Sequence, residues 1–415
     1  MREGRKKMAI APNTGDVVKI SVDSVAFGGA GVGRAWGMVV FTPYTVAGEE
    51  VEVEIGQVRK RFALGKVKRI LSPSPHRVSP LCRYFGRCGG CQLQHIAYEH
   101  QLEIKEKQVR EIFERLGKFP SPPVSRIIPS PRSFNYRGKA EYHIRIKESG
   151  VPDVGFMHAA ENVIVDIERC EIVEESINIA YSAFREAVLS GLMTSHGERQ
   201  TIWSASEREE PLIDWDNVDA PPFVMRTVKD RRLLVPYGGF SQVNNALVDV
   251  LVDKVIELCA LRGLETILDG YCGVGLFSLF LSPDARNIVG MEIDGEAVRC
   301  ARENLKKGGF PQAAFYKGDI AFLLQERFVK KKAPLDVIVL DPPRGGCSRA
   351  VLDAVRKTGV RRLVYVSCNP ATQVRDIRCL TDCGFKLRSL QPVDMFPQTA
   401  HIEVIALLER EKFLS

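Results

Sequence analysis

The chain has little that would tie it to a membrane or to an oxidising compartment. In 415 residues no apolar run approaches the length of a bilayer span. The opening MREGRKKMAIAP is basic and lacks the apolar core of a secretory signal. These absences predict a cytoplasmic protein without a membrane partner. Its 11 cysteines are then thiols, metal ligands or catalytic groups rather than disulfides. There is no internal repeat and no biased tract, which excludes solenoids and low-complexity tails. A lysine-bearing phosphate loop and the dinucleotide spacing of glycines are both missing, which speaks against nucleotide hydrolysis and hydride transfer. What remains is an ordinary globular composition, 45% hydrophobic and 26% charged, long enough for two or three domains.

Charge is unevenly spread. Residues 1–118 carry 20 Lys/Arg against 12 Asp/Glu, whereas the remainder is close to neutral within a total of +7. A basic N-terminal part on a neutral body suggests a polyanion partner, although a solvated basic face gives the same count. Residues 14–69 read as short alternating strands with glycine turns, the pattern of a small β-barrel. Arg59, Lys60, Arg61, Phe62, Lys66, Lys68 and Arg69 interleave cations with an aromatic, which suits backbone phosphates and stacked bases. The region resembles a TRAM domain, an OB-like RNA-binding barrel. We place it at 1–70, ahead of a β-rich central domain at 71–238 that includes a helix over about 98–116.

From residue 239 the pattern changes to alternating helix and strand, the mark of an α/β domain with a doubly wound, Rossmann-like sheet. Strands are predicted at TILDG, NIVGMEID, AAFYKGD, DVIVLDPP and RRLVYVSC. The first ends at Asp269 and runs through Tyr271, Gly273 and Gly275 into a helix, so that backbone can approach a ligand at the first crossover. Glu292 ends the second strand, where a carboxylate can accept both ribose hydroxyls. Asp319 closes the third and is placed to receive an adenine amine. Together these resemble the S-adenosylmethionine (SAM) site of class I methyltransferases. A generic nucleotide-binding sheet is the alternative. Asp341-Pro342-Pro343 resembles the acidic Pro-Pro turn that methyltransferases set beside a target base, its prolines making the loop rigid.

In VYVSCNPAT a buried parallel strand ends by presenting Cys368 and then a proline-locked turn. The thiol is either a small interior hydrophobe or a nucleophile at the ligand-binding end of the sheet. Carbon 5 of a pyrimidine is a poor nucleophile, and a thiolate adding to carbon 6 activates it. Such chemistry also needs a base for the carbon 5 proton, for which Glu403 in TAHIE is a candidate.

GGFSQVNNALVD, DGYCGVGLFSL, LDPPRGG, VSCNPAT and DMFPQTAHIE, in that order, resemble the RNA uracil-5-methyltransferase family, and with the TRAM-like barrel the likeness spans essentially the whole chain. By that resemblance Cys368 is the nucleophile and Glu403 the base, while Gln242, Tyr271, Gly273, Glu292, Asp319 and Asp341 line the cofactor and base pocket. Leu276 departs from members that carry a polar side chain there. Phe240 is a candidate stacking partner for a base. CRYFGRCGGCQLQ spaces Cys82, Cys88 and Cys91 as C-x5-C-x2-C. It resembles the 4Fe-4S motif of one branch of the family, in which Cys170 supplies the fourth ligand. Zinc and idle thiols are the alternatives. The expected partner is RNA, ribosomal 23S RNA favoured over transfer RNA, and the expected state a monomer. An RNA cytosine-5-methyltransferase is the nearest alternative. A non-catalytic RNA-binding protein is the alternative of another class.

Overall fold

The computed structural model describes residues 12–192, 199–204, 212–213 and 223–410; the basic opening at 1–11 lies outside the described residues. The chain divides into two compact units.

The first unit contains Met1–Gln108, Phe156–Val165 and Gln398–Ala400. Its centre is a closed barrel of β1 (Val17–Val25), β2 (Ala30–Ala35), β3 (Met38–Pro43), β4 (Glu50–Val58) and β5 (Phe62–Ser72). Strict alternation puts Val18, Ile20, Val22, Val51, Val53 and Ile55 inside. The barrel closes through a parallel pairing of β3 with β5, and Gly65 leaves the room this needs, since a Cβ there would stand 2.1 Å from Val53 Cγ1. The outer face qualifies the sequence reading. Lys68 and Arg69 pair across to Glu54 and Glu52 at 2.9 and 3.2 Å, and Phe62 lies edge-on to Phe41 at 5.5 Å. A bulge in β5 at Lys68 lets these consecutive cations both reach acids of β4, while Arg59, Lys60, Arg61 and Lys66 are exposed as well.

The second unit contains Val109–Gly155, Asp166–Pro397 and His401–Ser415. Its core is a seven-stranded sheet of β6 (Thr266–Gly270), β7 (Asn287–Glu292), β8 (Ala314–Lys317), β9 (Val337–Leu340), β10 (Arg362–Ser367), β11 (Phe385–Val393) and β12 (Glu403–Arg410), in the order β8-β7-β6-β9-β10-β12-β11. Helices α1 (Asn245–Cys259), α2 (Leu276–Leu281), α3 (Gly295–Lys307), α4 (Ile320–Leu324), α5 (Arg349–Lys357) and α6 (Pro370–Thr381) alternate with these strands. The five strands predicted from sequence are present and parallel to one another. Sequence reading had not anticipated the antiparallel β11–β12 pair at the far edge. The strand order reverses between β6 and β9, so a crevice opens at their carboxyl ends, where such sheets bind ligands.

Candidate active site

The β6–α2 turn is built for close approach. Tyr271, Gly273 and Gly275 all have positive φ (62°, 53° and 82°), and a non-glycine residue pays for that conformation at Tyr271. A Cβ on Gly275 would meet Leu305 Cδ2 at 3.1 Å and Ala301 Cβ at 3.2 Å, so α3 packs directly on the turn. At the end of β7 Glu292 reaches back, accepting from the Gly273 amide at 3.0 Å and from Ile293 and Asp294 at 2.7 and 3.0 Å. Asp319 lies two residues past β8 rather than on it. As the N-cap of α4 it accepts from the Phe322 amide at 2.9 Å. Ile293 and Phe322, which sequence reading passed over, follow these acids and are 69% and 63% exposed. Two exposed apolar side chains beside two carboxylates suit a flat heterocycle.

Asp269 was also missed as a functional candidate. It is fully buried, and its Oδ2 accepts from the Ser278 amide at 3.0 Å and hydroxyl at 2.6 Å. Its Oδ1 has no partner. Burial, aided by Glu292, pushes its pKa up to about 6 against the Ser278 bonds. An orphaned buried carboxylate oxygen below a glycine turn fits a cationic ligand, and the sulfonium and ammonium of SAM supply such charge.

The catalytic candidates converge on the other side of the crevice. Asp341 follows β9, and its amide donates to the Gly270 carbonyl at 3.3 Å, closing the switch point. Cys368 follows β10 and Glu403 begins β12. These strands are antiparallel with Ser367 opposite Val404, so the next pair along the ladder is Cys368 and Glu403. Gln373 of α6 locks them together, donating to the Tyr365 carbonyl at 2.9 Å and the Val404 carbonyl at 3.0 Å. The Asn-Pro turn behaves as a cap: Asn369 Oδ1 accepts from the Ala371 amide at 3.2 Å, and Pro370 takes the first helical position.

Proton affinities here all run upward. Burial holds the Glu403 carboxyl well above its ordinary range, and the Asp341 carboxyl raises it further; burial and Asp269 raise Asp341 in turn. Burial, Glu403 and Asp341 push the Cys368 thiol up to about 11, with Arg344 acting in the opposite direction. Arg344 is the other residue that sequence reading overlooked. Its Nη2 meets His401 Nε2 at 3.2 Å. Gln242 stands half-buried before α1, and Phe240 is 77% exposed.

The predicted cluster ligands divide between the two units. Cys82, Cys88 and Cys91 lie half-buried on one loop of the first unit, where the Gly90 amide approaches Cys88 Sγ at 3.4 Å. Cys170 belongs to the second unit and is tied through its own backbone to Asn178 at 2.9 and 3.1 Å. None of the 11 cysteines is in a disulfide. Among the described residues no three His, Cys, Asp or Glu side chains converge as metal ligands. The donor chemistry of the three-thiol loop suits a soft metal. No helix among the described residues is long and apolar enough to cross a membrane.

Comparison with known proteins decides the family. Residues 213–411 match the family described as tRNA (uracil-5-)-methyltransferase, and residues 13–68 match the TRAM domain. Relatives include uncharacterized RNA methyltransferases of Halalkalibacterium halodurans, 32% identical over 96% of this chain and 98% of theirs, and of Caldanaerobacter subterraneus, 32% identical over 95% and 98%. The chain belongs to the RNA uracil-5-methyltransferase family. The fold agrees: the crystal structure of Pyrococcus abyssi tRNA (uracil-54, C5)-methyltransferase superposes with a TM-score of 0.74 at 24% identity, covering 94% of this chain and 99% of that one. The protein is therefore a SAM-dependent RNA methyltransferase carrying an N-terminal TRAM barrel.

Proposed function

We propose that this methyltransferase converts one uridine of 23S ribosomal RNA to 5-methyluridine through a covalent bond between Cys368 and carbon 6 of the base. The observation carrying this reading is the β10–β12 register, which sets a thiol and a proton-holding carboxyl side by side at the ligand end of the sheet.

In this mechanism Cys368 reacts as the thiolate, its proton having passed to solvent; sulfur adds to carbon 6, and the electron pair moves to the carbon 5 side of the ring. SAM supplies the electrophilic methyl group that carbon 5 attacks. Glu403 then takes the proton from carbon 5, and the re-formed double bond expels the thiolate. The base must be unprotonated at that moment. Burial favours a proton on the Glu403–Asp341 pair at rest, so a cationic ligand nearby would favour its release. Tyr271, Gly273, Glu292, Asp319 and Gln242 would hold the cofactor, and Asp341 would bridge the cofactor and base sides. Phe240 would stack on a base flipped out of a single-stranded loop, with Arg59, Lys60 and Arg61 binding phosphates.

Cys82, Cys88, Cys91 and Cys170 would hold a 4Fe-4S cluster of structural role, with no step of the reaction passing through it. Visible absorbance with iron and sulfide analysis of protein purified without oxygen tests this. Colourless, iron-free protein with its fold intact would dismiss the cluster. The cysteine loop suits ribosomal RNA or an archaeal-type transfer RNA target, and a transfer RNA target is the second reading, in line with the family description.

The test of function is trapping on RNA containing 5-fluorouridine, since fluorine cannot leave as a proton does. A denaturing gel should show a methylated protein–RNA adduct that Cys368→Ala lacks, and sequencing the trapped RNA names the target. If methylation of ordinary RNA survived in Cys368→Ala, the covalent mechanism would be wrong.

A further inference from the structure

Loop 341–347, from the Asp-Pro-Pro turn to the start of α5, is gripped through its backbone by α6. Asn369 Nδ2 and Thr372 Oγ1 each donate to the Arg344 carbonyl at 3.1 Å. Arg375 Nη2 donates to the Gly345 carbonyl at 2.9 Å and the Cys347 carbonyl at 3.3 Å. Asp376 Oδ2 accepts from the Cys347 amide at 2.7 Å. These four residues recur at helical spacing along one face of α6 and its cap, so a single face of the helix grips consecutive peptide groups of the loop. Gly346 makes the contact possible, with φ 76° and a would-be Cβ only 2.5 Å from Asp376 Oδ2.

Asp376 joins this grip to the strand that bears the nucleophile. It is fully buried, and the oxygen that receives Cys347 also accepts from the Tyr365 hydroxyl at 2.8 Å, three residues before Cys368. Arg375 Nε donates to the other oxygen at 2.8 Å. A buried carboxylate thus bridges loop 341–347, β10 and α6, in surroundings where each bond is stronger than in water. Arg344 rides on that loop. Of the charged groups around Cys368, namely Glu403 of β12 with Asp341 and Arg344 of the loop, only Arg344 favours the thiolate.

We propose that Asp376, which touches no reacting atom, is a positioning residue that fixes loop 341–347 against α6 so that Arg344 stays beside the turn that carries Cys368. The inference builds on Cys368 as the nucleophile but is read without methyl transfer. The experiment is iodoacetamide alkylation of the full-length protein without RNA, from neutral to alkaline pH, with the Cys368 peptide followed by mass spectrometry. In Asp376→Asn the Cys368 profile moves to higher pH, and alkylation at neutral pH falls about threefold, the equivalent of half a pK unit. Arg344→Gln moves it in the same direction, and the double variant moves it no further. Thr372→Val, which removes one of the two donors to the Arg344 carbonyl, gives a smaller shift of the same sign and serves if Asp376→Asn does not fold. A wild-type profile in a folded Asp376→Asn or Thr372→Val protein whose Arg344→Gln counterpart is shifted would overturn the proposal. So would an Asp376→Asn protein changed only in melting temperature. Trapping on 5-fluorouridine RNA judges Cys368 separately, so the two readings fail by different experiments.

Discussion

The two sides of the crevice use the same residue types for opposite ends. On the cofactor side, Glu292 and Asp319 accept hydrogen bonds from the backbone amides of Gly273, Ile293, Asp294 and Phe322. Such amides fix the carboxylates in place and leave their remaining lone pairs as acceptors for a ligand's hydroxyl and amino groups. On the base side Glu403 is buried and Asp341 half-buried, and desolvation raises both carboxyls above their ordinary range, Asp341 raising Glu403 further. The parallel half of the sheet delivers binding groups at strand ends. The seam where β10 meets antiparallel β12 delivers the thiol and the carboxyl that the proposed mechanism uses. What separates the two sets of carboxylates here is the backbone amides that donate to Glu292 and Asp319 and the carboxyl–carboxyl coupling of Asp341 with Glu403.

Breaking the base side should have the largest effect. Cys368→Ala is expected to lose methyl transfer by about 10^4-fold or more while SAM still binds, as measured by turnover beside calorimetry. Glu403→Gln should lower turnover about 10^2- to 10^4-fold. Unlike the thiol variant, it should accumulate the protein–RNA adduct on ordinary uridine, visible on a denaturing gel. On the cofactor side Glu292→Ala should weaken SAM binding about 10- to 100-fold, from the loss of charge-assisted hydrogen bonds, with turnover at saturation little changed. A fall in saturated turnover as large as that of Glu403→Gln would erase the distinction between the two sides.

Smaller effects sharpen the comparison. The folded Asp341–Glu403 pair holds protons that the unfolded chain releases near the ordinary carboxylate range. Stability from the pair is therefore present at acidic pH and lost as pH rises through the folded titration. Asp341→Asn removes that loss, so its melting temperature should exceed wild type by about 2–4 °C at neutral pH and converge with it in acid. Smallest of all is Leu276, the departure noted in the cofactor turn, whose side chain packs against the hydrophobic core. Leu276→Asn should shift SAM affinity by no more than about threefold, and a much larger gain would make this position a cofactor contact.

The sequence by itself determined the local elements and their chemical endowment. Alternation wrote the barrel, β-rich runs wrote the parallel strands, and glycines at Gly273 and Gly275 wrote a turn that only positive φ allows. Strand-end positions made Tyr271, Glu292, Asp341 and Cys368 readable as site candidates, because a strand that ends in polar chemistry announces where the ligand lies. The tertiary structure decided how those endowments are used. Burial and neighbours made Asp269 an orphaned acid and the Asp341–Glu403 pair a proton store, and no run of residues encodes the dielectric around a side chain. A bulge in β5 set the consecutive Lys68 and Arg69 against acids of β4, a pairing that no alternation pattern predicts. Above all, Cys368 and Glu403 are 35 residues apart in the chain, and only the register of two antiparallel strands makes them neighbours. Pairing register depends on the whole sheet and its core, so it lies beyond any local reading.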